Sequence, residues 1–316
     1  MKRISIVIPT YNEELNIKNA YERIKNIFLT QLSSYAYEIL FIDNFSTDSS
    51  RKIIEELCGL DENVCTIFNA KNFGFTRSTY YGLTQATGDC TVLLFADLQD
   101  PPELLTDFVR EWENGYNVVI GIKTKSKESK IKYFMRSTYY KFLKKIAEID
   151  HIEHFTGFGL YDRSFIKTLR SLDDPMPYLR GIIAELGPAR KEITYVQEKR
   201  ELGKSNFNLY KLYELAMLGI TSYSKVIMRL ATICGFITSI FSLIIAVVTF
   251  VIKLFAWDSF PMGVAAISVG LFFFGSVLLF FIGFQGEYIL SINTRVMNRP
   301  LVIEEKRINL KKDENL

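Results

Sequence analysis

Apolar residues fall into two patterns along the chain. Through residue 208, short apolar runs alternate with stretches of helical periodicity. The runs at 4–8, 38–42, 66–68, 91–95 and 118–120 are rich in Ile, Val and Phe, which suit a pleated sheet. The stretches at 13–30, 47–58, 75–86 and 102–114 space their apolar positions as a helix with one buried face does. Pro101 and Pro102 before Glu103 mark one helix start. Strands that are apolar at nearly every position need cover on both faces. The pattern predicts an α/β fold built on a doubly wound, mostly parallel sheet.

The second pattern is continuous. Between Leu230 and Gly286 only Lys253 and Asp258 carry charge. A helix rises about 1.5 Å per residue, so the uncharged run 230–252 is long enough for a bilayer core of about 30 Å. A second uncharged run covers 259–286, and Trp257 and Pro261 sit in the turn between the two. An interfacial ring and a helix breaker there suit a transmembrane hairpin. Lys225 and Arg229 precede it; Arg295, Arg299, Lys306 and Arg307 follow it. Positive flanks on both sides put both termini in the cytoplasm. Leu212, Leu215, Ala216 and Ile220 have helical spacing with Lys211 and Glu214 opposite, which suits an interfacial amphipathic helix. The expected organisation is a cytoplasmic domain at 1–208 and a juxtamembrane helix at 209–229. Two transmembrane helices follow within 230–290, at about 230–252 and 262–286, and then a cytoplasmic tail at 291–316. Asn12 and Glu13 come too early for a signal peptide. The expected location is the cell membrane, multi-pass.

Composition narrows this further. The 316 residues include 25 Phe and 17 Tyr, too aromatic for a disordered chain. A net charge of +3 gives no reason to expect a nucleic-acid partner. The cysteines (Cys58, Cys65, Cys90, Cys234) have no paired metal spacing and read as structural.

In a sheet of this kind ligands bind beyond the carboxyl ends of the strands. The first such end carries Pro9, Tyr11 and Glu13; the second carries Asp43, Asn44 and Asp48; the fourth carries Asp97, Gln99 and Asp100. No glycine-rich phosphate loop is present, so a metal would have to neutralise any bound phosphates. Asp97 and Gln99, hard oxygen donors two residues apart, suit Mg²⁺ or Mn²⁺ bridging a pyrophosphate. Asp43 and Asp97, at the ends of buried strands, read as ligand-binding. Asp48 and Asp100 read first as helix caps.

Three segments carry a resemblance: Ile6-Val7-Ile8-Pro9-Thr10-Tyr11-Asn12-Glu13, the Asp43 after the second strand, and Asp97-Leu98-Gln99-Asp100-Pro101-Pro102-Glu103. With Asn72-Phe73-Gly74, Tyr178-Leu179-Arg180-Gly181, Arg200 and Gly203-Lys204-Ser205, the chain resembles the inverting glycosyltransferases of family two. More narrowly it is similar to the polyprenyl-phosphate sugar transferases, which include dolichol-phosphate mannose synthases and bacterial undecaprenyl-phosphate glucosyltransferases. The resemblance covers nearly the whole chain. It implies a nucleotide-sugar-binding fold of the glycosyltransferase A type and hexose transfer from a nucleotide sugar to polyprenyl phosphate for cell-envelope glycosylation. UDP-hexose, such as UDP-glucose, is favoured over GDP-mannose. By the same resemblance Pro9, Tyr11, Glu13, Asp43 and Asn44 hold the nucleoside. Asp97 is the catalytic residue, binding metal and donor diphosphate, with Gln99 as second ligand. Lys123, Arg136, Arg200 and Lys204 contact the acceptor phosphate. A homo-oligomer, such as a tetramer, is also implied.

The chain departs from the family pattern at three places. Asn44 stands where a second aspartate is common, Phe95 where the acidic motif usually begins, and Gly157 where close relatives often carry a candidate general base. A phosphate monoester has its second pKa near 6, so such an acceptor is already anionic at neutral pH and needs cationic positioning more than a base. The stretch 123–145 supplies nine Lys or Arg against one Glu. Two alternatives stand beside transfer to polyprenyl phosphate. One is a catalytically weakened membrane-bound relative acting as a binding or assembly subunit. The other is a glycosyltransferase with a different lipid acceptor.

Overall fold

The computed structural model describes residues 1–125, 152–187, 189–198, 217–222 and 264–310, with 226, 232–237, 240, 241, 244, 248, 251 and 255. Eight strands, β1 (Arg3–Thr10), β2 (Ala36–Asp43), β3 (Val64–Asn69), β4 (Cys90–Leu93), β5 (Val118–Lys125), β6 (Phe155–Asp162), β7 (Arg190–Val196) and β8 (Glu304–Ile308), join in one sheet. Their order is β7-β5-β6-β4-β1-β2-β3-β8. The centre is parallel: β1 lies between β2 and β4, and β3 pairs with β2. β5 and β7 are also parallel. β6 runs antiparallel to both β4 and β5, and β8 antiparallel to β3. The sheet is therefore mixed, parallel where the sequence pattern foresaw it.

Side chains alternate along the central strands, which is why both faces are apolar. Ile4, Ile6, Ile8, Ile39 and Phe41 pack with helices α1 (Ile17–Thr30), α2 (Ser50–Leu60) and α4 (Leu105–Glu113). Val7, Leu40 and Ile42 face α3 (Phe75–Gln85), α5 (Arg163–Ser171) and α6 (Leu179–Leu186). α3 lies close on the sheet because residue 82 is glycine; a Cβ there would sit 2.9 Å from Ile42 Cγ2 and 3.0 Å from Val7 Cγ1. The helix expected at 102–114 is a single 3₁₀ turn, Pro102–Leu104, continued by α4. Cys58, Cys65 and Cys90 are free and buried in this core.

At the amino ends of the strands the sheet is tied by one carboxylate. Asp61 accepts from the hydroxyls of Tyr21 and Tyr37, both at 2.9 Å, and from the backbone and side-chain nitrogens of Asn63, both at 3.0 Å. Lys25 Nζ stands 3.3 Å away.

The last helix, α7 (Val264–Val296), is 33 residues long. Within it Val277–Val296 is long and apolar enough to cross a membrane, and none of it is buried in protein. The expected second span, 262–286, overlaps α7 but stops short of its end. Most of the expected first span falls outside the described residues. Its described positions are helical, and Ile233, Ile237, Ile244 and Val248 among them are exposed. Of the juxtamembrane segment, 217–222 and 226 are described and helical.

The stretch after α7, expected to be a terminal tail, returns to the sheet and forms β8. Arg295 bonds Asp174 and Ser222, both at 3.0 Å, and Asn298 bonds Asp173. Ala70 N donates to Ile303 O at 2.9 Å, and Arg307 bonds Glu304, Tyr81 and Gln85. Asn309 Nδ2 donates to the carbonyls of Cys58 and Val64.

Candidate active site

The loops after β1, β2 and β4 each turn through one left-handed residue that is not glycine: Asn12 (φ 54°), Phe45 (φ 66°) and Leu98 (φ 53°). Asparagine tolerates this region; Phe and Leu are held there at a cost of roughly 1–2 kcal/mol each. Such strain persists only where neighbours fix it. Here Asn12 Oδ1 accepts from Thr47 N at 2.8 Å, and the backbone nitrogens of Asn12 and Glu13 donate to the hydroxyls of Ser46 and Ser50. Asp48 receives Ser50 N at 3.0 Å, next to the start of α2, and Glu14 N at 3.2 Å. It thus closes the loop and the helix start together, close to the capping role expected of it.

Beyond these loops lies a cavity of about 630 Å³. Pro9, Tyr11, Glu13, Asn44, Asp97, Gln99 and Lys123 all line it, so most of the sequence-derived site residues converge. Asp43 is fully buried and is not part of the lining. Its Oδ2 accepts from Ser46 N at 3.1 Å and lies 3.7 Å from Arg51 Nε, whereas its Oδ1 has no hydrogen-bond partner among the described residues. Burial raises its pKa against the pull of Ser46 and Arg51. Arg136, Arg200 and Lys204 lie outside the described residues.

The loop after β4 is fastened to the end of β7. Asp97 Oδ1 accepts from Gln99 N at 3.3 Å. Gln99 O accepts from Glu198 N at 3.0 Å, and Gln99 Nε2 donates to Glu198 O at 3.3 Å. With its nitrogen so used, the Gln99 side chain offers its oxygen to a ligand. Asp100 does not cap a helix as expected. It is buried, accepting from Tyr195 Oη at 2.5 Å and Thr156 Oγ1 at 3.4 Å. Burial raises its pKa, opposed by the cation of Lys123. This network of Asp100, Thr156 and Tyr195 holds the loop that presents Asp97. Of its members the sequence singled out only Asp100.

The departures from the family pattern acquire physical reasons. Asn44 Oδ1 accepts from Phe73 N and Asn69 Nδ2, while its Nδ2 donates to Asn72 Oδ1 at 3.0 Å. An ionised aspartate could accept those bonds but could not make the last one. Phe95 packs on Phe75 with ring centroids 5.8 Å apart, giving the cavity an aromatic wall where a carboxylate was expected. Gly157 has φ 107°, and a Cβ there would meet Leu93 Cδ2 at 3.2 Å. At Gly159 a Cβ would lie 2.5 Å from Val119 O. This stretch of β6 has given up side chains for close packing.

Asp97, Gln99 and Lys123 thus line one cavity at the strand ends. The comparisons give the family. Residues 5–170 match the model of glycosyl transferase family 2. The chain is 33% identical over 303 residues to the uncharacterized glycosyltransferase YkcC of Bacillus subtilis, covering 96% of this chain and 93% of that protein. It is 30% identical over 305 residues to the SfII prophage-derived bactoprenol glucosyl transferase of Shigella flexneri, covering 96% and 98%. Among solved structures, glucosyl-3-phosphoglycerate synthase from Mycobacterium tuberculosis, in complex with Mn²⁺, UDP-glucose and phosphoglyceric acid, shares the fold. The TM-score is 0.50 at 18% identity, covering 70% of this chain and 78% of that one. The chain belongs to glycosyl transferase family 2.

Proposed function

We propose that the protein transfers a hexose from a nucleotide sugar, UDP-glucose or a close analogue, to polyprenyl phosphate, inverting the anomeric centre. The product is a polyprenyl-phosphate monosaccharide for cell-envelope glycosylation. The observation that carries this reading is the meeting of Asp97 and Gln99 with Lys123 in one cavity, whose wall also includes Leu218 from the segment that leads toward the apolar helices. Full-length similarity to a bactoprenol glucosyl transferase supports the acceptor class.

In this reading Pro9, Tyr11, Glu13 and Asn44 hold the nucleoside, with Asp43 beneath them offering its unpaired Oδ1. An oxygen of the acceptor phosphate attacks the anomeric carbon as the bond from that carbon to the nucleotide diphosphate breaks. Lys123, with Arg136, Arg200 and Lys204, positions the incoming phosphate. No proton has to leave the nucleophile, consistent with a strand β6 that carries glycine at 157.

The donor chemistry suits a divalent ion. Among the described residues no three His, Cys, Asp or Glu side chains cluster as a metal cage. Mg²⁺ and Mn²⁺ need no such cage at a nucleotide site, since one carboxylate and the substrate phosphates complete the shell. Asp97 and Gln99 Oε1 would hold it, and it would neutralise the charge growing on the leaving diphosphate.

We place the catalytic domain and both termini on the cytoplasmic side, with spans at about 230–252 and within α7 and the juxtamembrane segment 209–229 against the bilayer. The subunits are read as a homo-oligomer. The test supplies membranes containing the protein with labelled UDP-glucose, undecaprenyl phosphate and Mg²⁺ or Mn²⁺. Labelled lipid should form, and Asp97→Ala should slow it by at least about 100-fold. Nucleotide-sugar binding without turnover would point instead to a binding subunit, and an Asp97→Ala enzyme at wild-type rate would refute the site.

A further inference from the structure

On one wall of the cavity Arg77 stands with two further cations, Lys71 and Arg299, close behind it. Arg77, in the first turn of α3, lines the cavity. Its guanidinium lies over the Phe73 ring, 5.6 Å from the centroid, and Lys71 Nζ lies 5.2 Å from the same centroid. Arg77 donates one bond to Pro300 O, while its Nε is buried and has no hydrogen-bond partner among the described residues. Desolvation and the repulsion of Arg299 both lower its pKa. Among the described residues neither Lys71, Arg77 nor Arg299 has an ion pair.

A partly desolvated guanidinium beside like charges is unfavourable unless an anion joins it. Its planar fork of donors matches phosphate oxygens. The surroundings say from which side that phosphate comes. Arg299 and Pro300 lie one short turn beyond α7, the helix apolar enough to cross a membrane. Leu218 on the same cavity belongs to the segment that Arg295 ties to α7 through Ser222. The cavity therefore borders on the chain that leads toward and away from the apolar helix α7. Asp97 and Gln99 already account for the donor diphosphate.

We infer that Arg77, supported by Lys71 and Arg299, binds the phosphate of the membrane-borne acceptor as it enters the cavity past Phe73. The inference rests on the proposed transfer to polyprenyl phosphate and adds a binding residue to it.

The experiment uses the full chain in lipid nanodiscs, comparing wild type, Arg77→Ala, Arg77→Lys and the Lys71→Ala/Arg299→Ala pair. It measures KM for undecaprenyl phosphate and, separately, calorimetric Kd for UDP-glucose. Arg77→Ala should raise the lipid KM roughly tenfold or more while the UDP-glucose Kd stays within about twofold. Arg77→Lys should recover part of the loss, since it keeps the charge without the fork. The double variant removes charge without cutting into α3, and should raise the lipid KM if Arg77→Ala proves too unstable to assay. An unchanged lipid KM in both, or a matching loss of UDP-glucose affinity, overturns the assignment of Arg77. A wild type that transfers nothing to the lipid phosphate overturns the functional reading itself.

Discussion

At residue 159 of this chain there is no space for a side chain. A methyl group would meet Val119 O at 2.5 Å and Ile120 Cα at 3.1 Å, both backbone atoms of the neighbouring strand. Gly159→Ala should therefore cost about 3 kcal/mol, read as a lowered urea midpoint, because two strands must part to admit it. A longer side chain there should do worse still. The requirement for glycine at 159 comes from an antiparallel neighbour that no local pattern announces. Asn44 behaved similarly. Its amide was legible as an acceptor, but its donor role depends on Asn72, far along the chain. Asn44→Asp should weaken UDP-glucose binding severalfold by leaving Asn72 Oδ1 facing a carboxylate, which titration calorimetry would report. Asp97, Gln99 and the first-strand residues were legible because they follow strands whose apolar runs are unmistakable.

Elements differ in how much of themselves they disclose. The four central strands, the three helices between them and α4 after them appear in the hydropathy pattern at nearly their observed bounds. β6, with three tightly packed glycines in and beside it (Gly121, Gly157 and Gly159), carries little pattern, and its antiparallel pairing comes from tertiary packing. The amino-end clasp around Asp61 joins α1, α2, β2 and the turn before β3. Burial pushes the Asp61 carboxyl up, but the bonds from Asn63, Tyr37 and Tyr21 outweigh it and hold the pKa at about 2. A carboxylate held low stabilises the fold above its unfolded pKa of about 3.9, and that contribution fades as pH falls toward about 2. Asp61→Asn should thus lose about 2 kcal/mol at pH 7, with the gap from wild type narrowing below about pH 4. Urea unfolding at a series of pH values checks it; a gap constant down to pH 2 would count against the ionised clasp.

At the scale of the whole molecule, the sheet has an edge strand that arrives after the longest apolar helix. Thr66 pairs with Ile308 and Phe68 with Lys306, so residues before and after that helix share one hydrogen-bonded ladder. Truncation after residue 300 should uncover β3 and lower solubility, since a bare strand edge invites intermolecular pairing. The ladder also constrains the path between. Two strands cannot pair across a bilayer, so the chain must finish on the side from which it set out. Crossings then obey parity: if α7 crosses, the residues between β7 and α7 must cross as well, and an odd total is forbidden. An impermeant thiol reagent applied to intact cells should label Asp258→Cys and should reach Asn315→Cys only after permeabilisation. If α7 crosses a bilayer, a five-residue strand on the sheet edge would work as a counter, allowing only an even number of membrane passages without itself entering the lipid.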